Sequence, residues 1–413
     1  MFWFPWRVAE TGNGSRLDPP TMDTIKLKFP YTNPDSSFFC DKVWGKEVWI
    51  NKAWREKQKA LGLYVPRFWV EPDFKFSEKF YFCLEFSAPK LINGNNIIEI
   101  KEGQFDQLVC GIKDFCKSIG DLGSLVYSIK IRHCQPSLIA IGKNINLTGF
   151  CSVNNTLKVL KPFDYKANTA QRLVDFSDFK HGGKEVIYST RYETFKAYDK
   201  TREILNNAEC QEEKAIADLM RQGKFEIDGN LASENLRIEL TLKNSRKIKE
   251  KFDKYLNGLT PTLENIFKQD IWDKILRDQV DNIFNHPLQK IIILSLEKQP
   301  VIDNFLDNHY KHIQTKATIK QLIGDLKENG LAETRQKFLK GYKSRQTWYN
   351  YLERLTELQN HFDWQALGKL DNVKIHRHIL LQFGITSIIQ QELGLNFNTP
   401  VSKNIGTKQR NTV

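Results

Sequence analysis

The chain has 413 residues and a mass of 48.2 kDa, more than one compact core usually holds, so two domains are expected. Apolar residues make up 40% and charged residues 27%, which excludes a disordered or fibrous chain, and no stretch approaches the ~20 apolar residues of a membrane-spanning helix. Lysine and arginine outnumber aspartate and glutamate 61 to 49, and the formal charge of +12 with a pI near 9.1 points to a polyanionic partner.

Residues 1–21 lack the basic start and long apolar centre of a secretory signal and read as a disordered polar leader, with an ordered segment, MDTIKLKFPY, beginning at Met22. The seven cysteines (40, 83, 110, 116, 134, 151, 210) contain no C-x-x-C pair. That pattern fits a reduced cytoplasmic compartment and disfavours a zinc ribbon or a disulfide framework.

Short alternating segments dominate up to about residue 256. Phe80, Phe82, Leu84 and Phe86 alternate with polar positions, so a strand there turns its apolar face to the core and sends Glu85 to the other side. Apolar residues at 105, 108, 109, 112, 115 and 119 follow an amphipathic helical period. A strand over 192–200 places Phe195 and Ala197 on one face and Lys196, Tyr198 and Lys200 on the other. In the next strand Ile238, Leu240 and Leu242 alternate with Arg237, Glu239, Thr241 and Lys243.

After Gly258 the pattern becomes helical. Thr260 is a candidate cap with Pro261 in the first turn, ahead of Leu263, Ile266, Phe267, Ile271, Ile275, Val280 and Phe284 at helical spacing. Further helices are predicted over 301–313, 319–328, 332–339, 345–358 and 376–381. No repeat of 20 to 50 residues is present, and residues 398–413 read as a basic, disordered tail. The expected organisation is a mixed domain over 22–258 and a helical accessory domain over 259–397, an α+β fold with an antiparallel sheet followed by an all-helical part.

If the polar strand faces coincide in one sheet, Glu85 and Glu239 could supply oxygen ligands to a hard divalent ion from adjacent strands. Tyr198 lies between Lys196 and Lys200. A tyrosine is a weak nucleophile at its free pKa of about 10, and neighbouring ammonium groups would assist its attack on a phosphodiester. Tyr188 and Tyr192 are alternative nucleophiles. A surface ion pair is the alternative role for Glu239, and a bond to the turn at Asn95 and Asn96 is that for Glu85. The segment at Lys90, Gly94, Asn95 and Asn96 is either a DNA-phosphate contact or simple turn chemistry.

The segments YFCLEFSAPKLINGNN (81–96), TFKAYDKTREI (194–204) and LRIELTLKNSRKI (236–248), preceded by MDTIKLKFPY (22–31), resemble the successive motifs of rolling-circle replication initiator endonucleases of filamentous phages and plasmids, the phage gene II-like proteins. The resemblance spans residues 22–256 and implies that Tyr198 is the nicking nucleophile. It further implies a 5′-phosphotyrosyl intermediate, religation of the displaced strand, and Mg²⁺ (Mn²⁺ as a substitute) held by Glu85 and Glu239. Double- and single-stranded origin DNA and a host helicase and polymerase would be its partners, in a bacterial cytoplasm. One departure stands out: relatives carry an acidic or histidine side chain in the strand matching SLIAIGKNINL, where this chain has Ala140, Ile141 and Gly142. Either a third metal ligand is missing, or His133 or Asp199 replaces it. A histidine-apolar-histidine site is absent, since His376 and His378 flank Arg377, and His309 with His312 lack further ligands.

Two segments carry the expected DNA contacts. Residues 237–255 hold seven basic side chains, among them Arg237, Lys243, Arg246, Lys247 and Lys251, against three acids, with Ile248, Phe252 and Tyr255 as an apolar stripe. In 341–358, Ser344 caps a helix whose core face is Trp348, Leu352 and Leu355, and Arg345 and Gln346 stand where a recognition helix reads bases. The alternatives are a solvated charged face and an ordinary bundle helix. For the whole chain, the competing reading is a non-catalytic origin-binding protein or repressor.

Overall fold

Period-2 alternation of apolar and polar residues builds one antiparallel sheet whose two faces differ in chemistry. The computed structural model describes residues 20–31, 48–49, 52–72, 80–118, 130–160, 176–178, 185–227, 229–284, 291, 295, 299–342 and 344–361. The sheet strands are β1 (Thr21–Tyr31), β2 (Val48–Trp49), β3 (Arg67–Pro72), β4 (Phe80–Ser87), β5 (Pro136–Asn146), β6 (Phe176–Asp178), β7 (Glu185–Ser189) and β8 (Glu193–Asp199). A separate ribbon, β9 (Glu226–Ile227) with β10 (Asn230–Leu231), precedes the last sheet strand, β11 (Asn235–Leu242). Across the nine-stranded sheet the order is β2-β3-β4-β1-β5-β11-β8-β7-β6. The last strand in sequence is thus inserted between β5 and β8, and this makes the Glu239 strand the neighbour of the Tyr198 strand. The α+β class expected from the sequence is the one observed.

The helices are α1 (Lys52–Ala60), α2 (Ala88–Asn93), α3 (Phe105–Ser118), α4 (Val153–Leu160), α5 (Lys200–Asn207), α6 (Gln211–Arg221) and α7 (Ser245–Leu256). After Gly258 follow α8 (Leu263–Ile266), α9 (Gln269–Phe284), α10 (Gln299–His309), α11 (Ile313–Tyr342) and α12 (Arg345–His361). One face of the sheet is apolar: Ile25, Leu27, Phe82, Leu84, Phe86, Ile139, Ile141, Ile238, Leu240, Phe195 and Ala197 are all buried. Phe115 of α3 meets Phe68 with ring centroids 5.6 Å apart, α4 packs on β7 and β8, and Ile248, Phe252 and Leu256 of α7 are buried in the same core. Helix α9 packs against β1, β5 and β11, so the core continues across Gly258.

Several helix boundaries differ from the sequence reading. The cap after Gly258 is Thr262, whose hydroxyl accepts from the Asn265 N–H at 3.3 Å, and the chain bends at Phe267 before α9 instead of running on as one helix. The predicted helices 319–328 and 332–339 are one helix of 30 residues, because Gly330 between them costs only about 1 kcal/mol and tertiary packing outweighs that. Ser344 does cap α12, accepting from the Thr347 N–H at 3.3 Å, and Trp348 and Leu355 are buried. The leader up to residue 19, the 376–381 helix with His376 and His378, and the basic tail lie outside the described residues. No helix among the described residues is long and apolar enough to cross a membrane.

Candidate functional site

The polar face of the sheet concentrates charge where β1, β5, β11 and β8 run side by side. Register fixes the arrangement: Tyr198 lies opposite Arg237, Lys196 opposite Glu239, Glu239 opposite Gly142, and Arg237 opposite Asn144. A β-bulge in β1 adds the missing member. Met22 pairs with Ile141 and Ile25 with Ile139, so β1 carries one extra residue there and both apolar side chains still reach the core. The extra residue turns Asp23 onto the polar face, where its carboxylate accepts from Ser87 Oγ at 2.9 Å and from Arg237 Nη2 at 2.8 Å.

Arg237 is fully buried at the centre of this cluster. Its Nη1 donates to Asn144 Oδ1 at 2.9 Å, and its Nε lies 3.7 Å from Glu239 Oε2 without a hydrogen-bond partner. Glu239 also takes Lys196 Nζ at 2.7 Å and Thr241 Oγ1 at 3.0 Å. The half-buried Tyr198 ring has Lys196 Nζ at 5.7 Å and Lys200 Nζ at 5.8 Å from its centroid. Asp199 ends β8 and caps α5, accepting from the Arg202 N–H at 2.9 Å, so Lys200 is the first residue of the helix rather than the last of the strand. Lys200 is fully buried and bound to Glu203. A cleft of about 450 Å³ opens beside Tyr198, lined also by Glu185, Lys196, Asp199, Arg202 and Asn206.

The electrostatics follow from this burial. Desolvation, reinforced by Glu239, holds the Tyr198 phenol well above its ordinary pKa of 10.0, and the opposing pull of Arg237 does not reverse it. Burial therefore outweighs the positive charge around the phenol in the resting structure. Burial lowers the Lys200 ammonium below its ordinary 10.5, with Arg237 adding to the effect against Glu203. For Lys196 burial acts downward too, but Glu239 outweighs it and the net direction is up. Burial alone would raise Asp23, and Arg237, Lys200, the Ser87 hydrogen bond and Lys196 together hold its carboxyl low.

The sheet does not bring Glu85 and Glu239 together. They stand on β4 and β11, three strands apart, which at about 4.8 Å per strand is about 14 Å, beyond the reach of a shared ion. Glu85 lies 3.8 Å from Arg67 across β3, and Glu239 is already neutralised by Lys196 and Arg237. Nor do the named substitutes fit: His133 is exposed beside Glu264 at 3.7 Å, and Asp199 is a helix cap. Among the described residues no group of three histidine, cysteine or acidic side chains could hold a metal. The donor set as arranged does not suit a divalent ion.

Of the three tyrosines, Tyr188 is buried and donates to the Leu160 carbonyl at 2.6 Å, and Tyr192 sits exposed in the β7–β8 turn. Only Tyr198 joins the charged cluster. The 94–96 turn is structural: Gly94 ends α2 in the left-handed region, and Asn95 Oδ1 accepts from the Ile97 and Ile98 N–H groups. Among the basic residues expected on DNA, Arg237 is a correction, since its burial removes it from any phosphate-lining stripe. Lys247 and Lys251 are half-buried. They bracket the buried Glu193 at 3.5 and 3.9 Å, because α7 packs its polar flank onto the start of β8. Lys243 is exposed and donates to Ser189 Oγ at 3.1 Å. Arg246, Lys249 and Arg345 are exposed and form no ion pair among the described residues, and Gln346 donates to Asn350 on its own helix at 3.0 Å.

No protein-family model matches the chain, and no curated protein does. Among solved structures it is similar to a rolling-circle replication initiator protein from Geobacillus stearothermophilus, with 12% identity and a TM-score of 0.25 over 64% of this chain and 85% of that one.

Proposed function

We propose that the chain is a rolling-circle DNA replication initiator that nicks one strand of a double-stranded origin through Tyr198 and later rejoins it. The observation that carries this reading is the convergence of two separated sequence motifs. Residues 194–204 and 236–248 fold onto neighbouring strands and set Tyr198, flanked by Lys196 and Lys200, directly opposite Arg237 beside a cleft.

The chemistry is a transesterification. Tyr198 Oη forms a bond to the scissile phosphorus, the bond to the 3′ oxygen breaks, and the phenol proton ends on the departing 3′ hydroxyl. Of the two ammonium groups flanking the ring, Lys200 is the one whose net shift is downward, and to carry that proton it would have to leave Glu203 and reach the hydroxyl from its place 5.8 Å from the ring centroid. The tyrosyl phosphodiester conserves the energy of the broken bond, so rejoining needs no nucleotide. Lys196, which Glu239 keeps charged, faces the same cleft and would meet the phosphate.

One feature favours the competing reading of a protein that binds an origin without cutting it: the environment of Tyr198 favours phenol over phenolate. Incubation with supercoiled DNA of the protein's own replicon, followed by peptide mapping of any 5′ adduct, separates the two. An adduct on Tyr198 is expected. Relaxation without an adduct, an adduct on Tyr188 or Tyr192, or binding with no cleavage would each overturn the assignment.

A further inference from the structure

Resting on that reading, we propose that Arg237 supplies the fixed positive charge of this site in the place a divalent ion would take, and that strand transfer by Tyr198 proceeds without bound metal. Gly142 is what leaves room for it. A Cβ there would lie 2.7 Å from Arg237 Nη2 and 3.0 Å from its Cζ, so the guanidinium fills the space above this residue of the central strand. Any side chain at 142 able to reach an ion would have to displace it.

The two carboxylates nearest that space are committed to the same group. Asp23 binds Nη2 at 2.8 Å, and Glu239 faces Nε at 3.7 Å while holding Lys196 at 2.7 Å. Each of these two acids already faces a cation within 4 Å, so neither could bind a divalent ion without giving that partner up. The position is built in detail: the β1 bulge supplies Asp23, Asn144 takes Nη1, and the pairing of β11 with β8 puts the charge opposite Tyr198. Arginine suits the task, because its charge persists after burial and its planar fork satisfies several acceptors at once. The Nε–H has no hydrogen-bond partner and faces Glu239 Oε2 at 3.7 Å, so its interaction with that carboxylate is electrostatic.

During transfer the phosphodiester gains negative charge on its non-bridging oxygens while the Tyr198 O–P bond forms and the O3′–P bond breaks. Arg237 acts on that charge from beneath, through the fixed row that it forms with Glu239 and Lys196, and is a positioning residue rather than one shown to touch the phosphate.

The test has two independent arms. In the first, the metal-free full chain is titrated with Mn²⁺ and the bound ion is followed by paramagnetic resonance, with no DNA present. The wild type should show no site that Glu239→Gln removes, and Arg237→Ala, which frees Asp23 and Glu239 over Gly142, should acquire one. A Glu239-dependent Mn²⁺ site in the wild type, or a folded Arg237→Ala chain that gains none, overturns the proposal; if Arg237→Ala does not fold, the wild-type and Glu239→Gln titrations decide.

In the second arm the Tyr198 adduct is measured in excess EDTA and in Mg²⁺. Equal yields are expected. An adduct that forms in Mg²⁺ and is lost at least tenfold in EDTA overturns metal independence while leaving the nicking function intact. No adduct in either condition overturns the nicking function itself, and with it this inference.

Discussion

At the scale of single residues, the polar face of the sheet pairs charged side chains across strands, as Asp23 with Arg237 and Glu239 with Lys196. Outside the tyrosine cluster, Glu71 shows the same logic. Burial alone would raise its carboxyl, but Lys28, Trp69 and Lys26 donate to it and hold it at about 2, from an ordinary 4.5. A carboxyl with a depressed folded pKa stabilises the fold above its unfolded value and loses that contribution as pH falls through the folded one. Glu71→Gln should therefore destabilise the chain near neutrality, and the gap to wild type should close between pH 4.5 and about 2 in urea titrations. A gap independent of pH would mean that the ion pairs contribute nothing. Tyr198→Phe removes one oxygen and no packing atoms. It should abolish the covalent adduct while DNA affinity, measured by anisotropy, stays within about twofold, since each 1.4 kcal/mol would be a factor of ten. Persistent adduct in that variant would exclude Tyr198 as the nucleophile.

At the scale of elements, α7 shows why a basic stripe in sequence is not a DNA-binding face in space. Its Ile248, Phe252 and Leu256 are buried, and that rotation aims Lys247 and Lys251 at the buried Glu193 while Arg246 and Lys249 face outward. Lys247→Ala should cost about 1–3 kcal/mol of stability, the penalty of leaving a buried carboxylate short of a partner, with little change in the salt dependence of DNA binding. Arg246→Ala with Lys249→Ala should leave stability unchanged and lower the salt slope by about one for each phosphate that is no longer neutralised. Equal slopes for all variants would remove α7 from the interface. The strand faces of Phe82, Leu84 and Phe86, and of Ile238, Leu240 and Leu242, were legible in the sequence, because alternation reports directly on which side is buried. Strand order was not legible. Nothing in the composition of β11 says that it enters between β5 and β8, so Glu85 and Glu239 read as neighbours when they are three strands apart. Asp23 was invisible for a related reason: only the bulge, a property of the β1–β5 register, turns it toward Arg237.

At the scale of the molecule, the shift from strands to helices at Gly258 is plain in the sequence, yet packing does not stop there. Phe267 meets Phe105 of α3 at 5.0 Å and Trp272 at 4.8 Å, and Trp272 Nε1 donates to the Ile266 carbonyl at 2.6 Å. Helix α9 contributes Ile271, Trp272, Ile275, Leu276, Val280 and Ile283 to the core that also holds the sheet. At ~1.5–3 kcal/mol for each large apolar side chain, removing these six would forfeit on the order of 10 kcal/mol, as much as the whole net stability of an ordinary domain. A chain ending at residue 258 should consequently be insoluble or lack the cooperative thermal transition that the full chain shows by circular dichroism. If the shorter chain instead unfolds sharply and still forms the Tyr198 adduct, the helical part is dispensable to the sheet. Its exposed Arg345 would then be tested for origin preference on the full chain, where Arg345→Ala should reduce discrimination between origin and random DNA by roughly 1–3 kcal/mol if α12 reads bases.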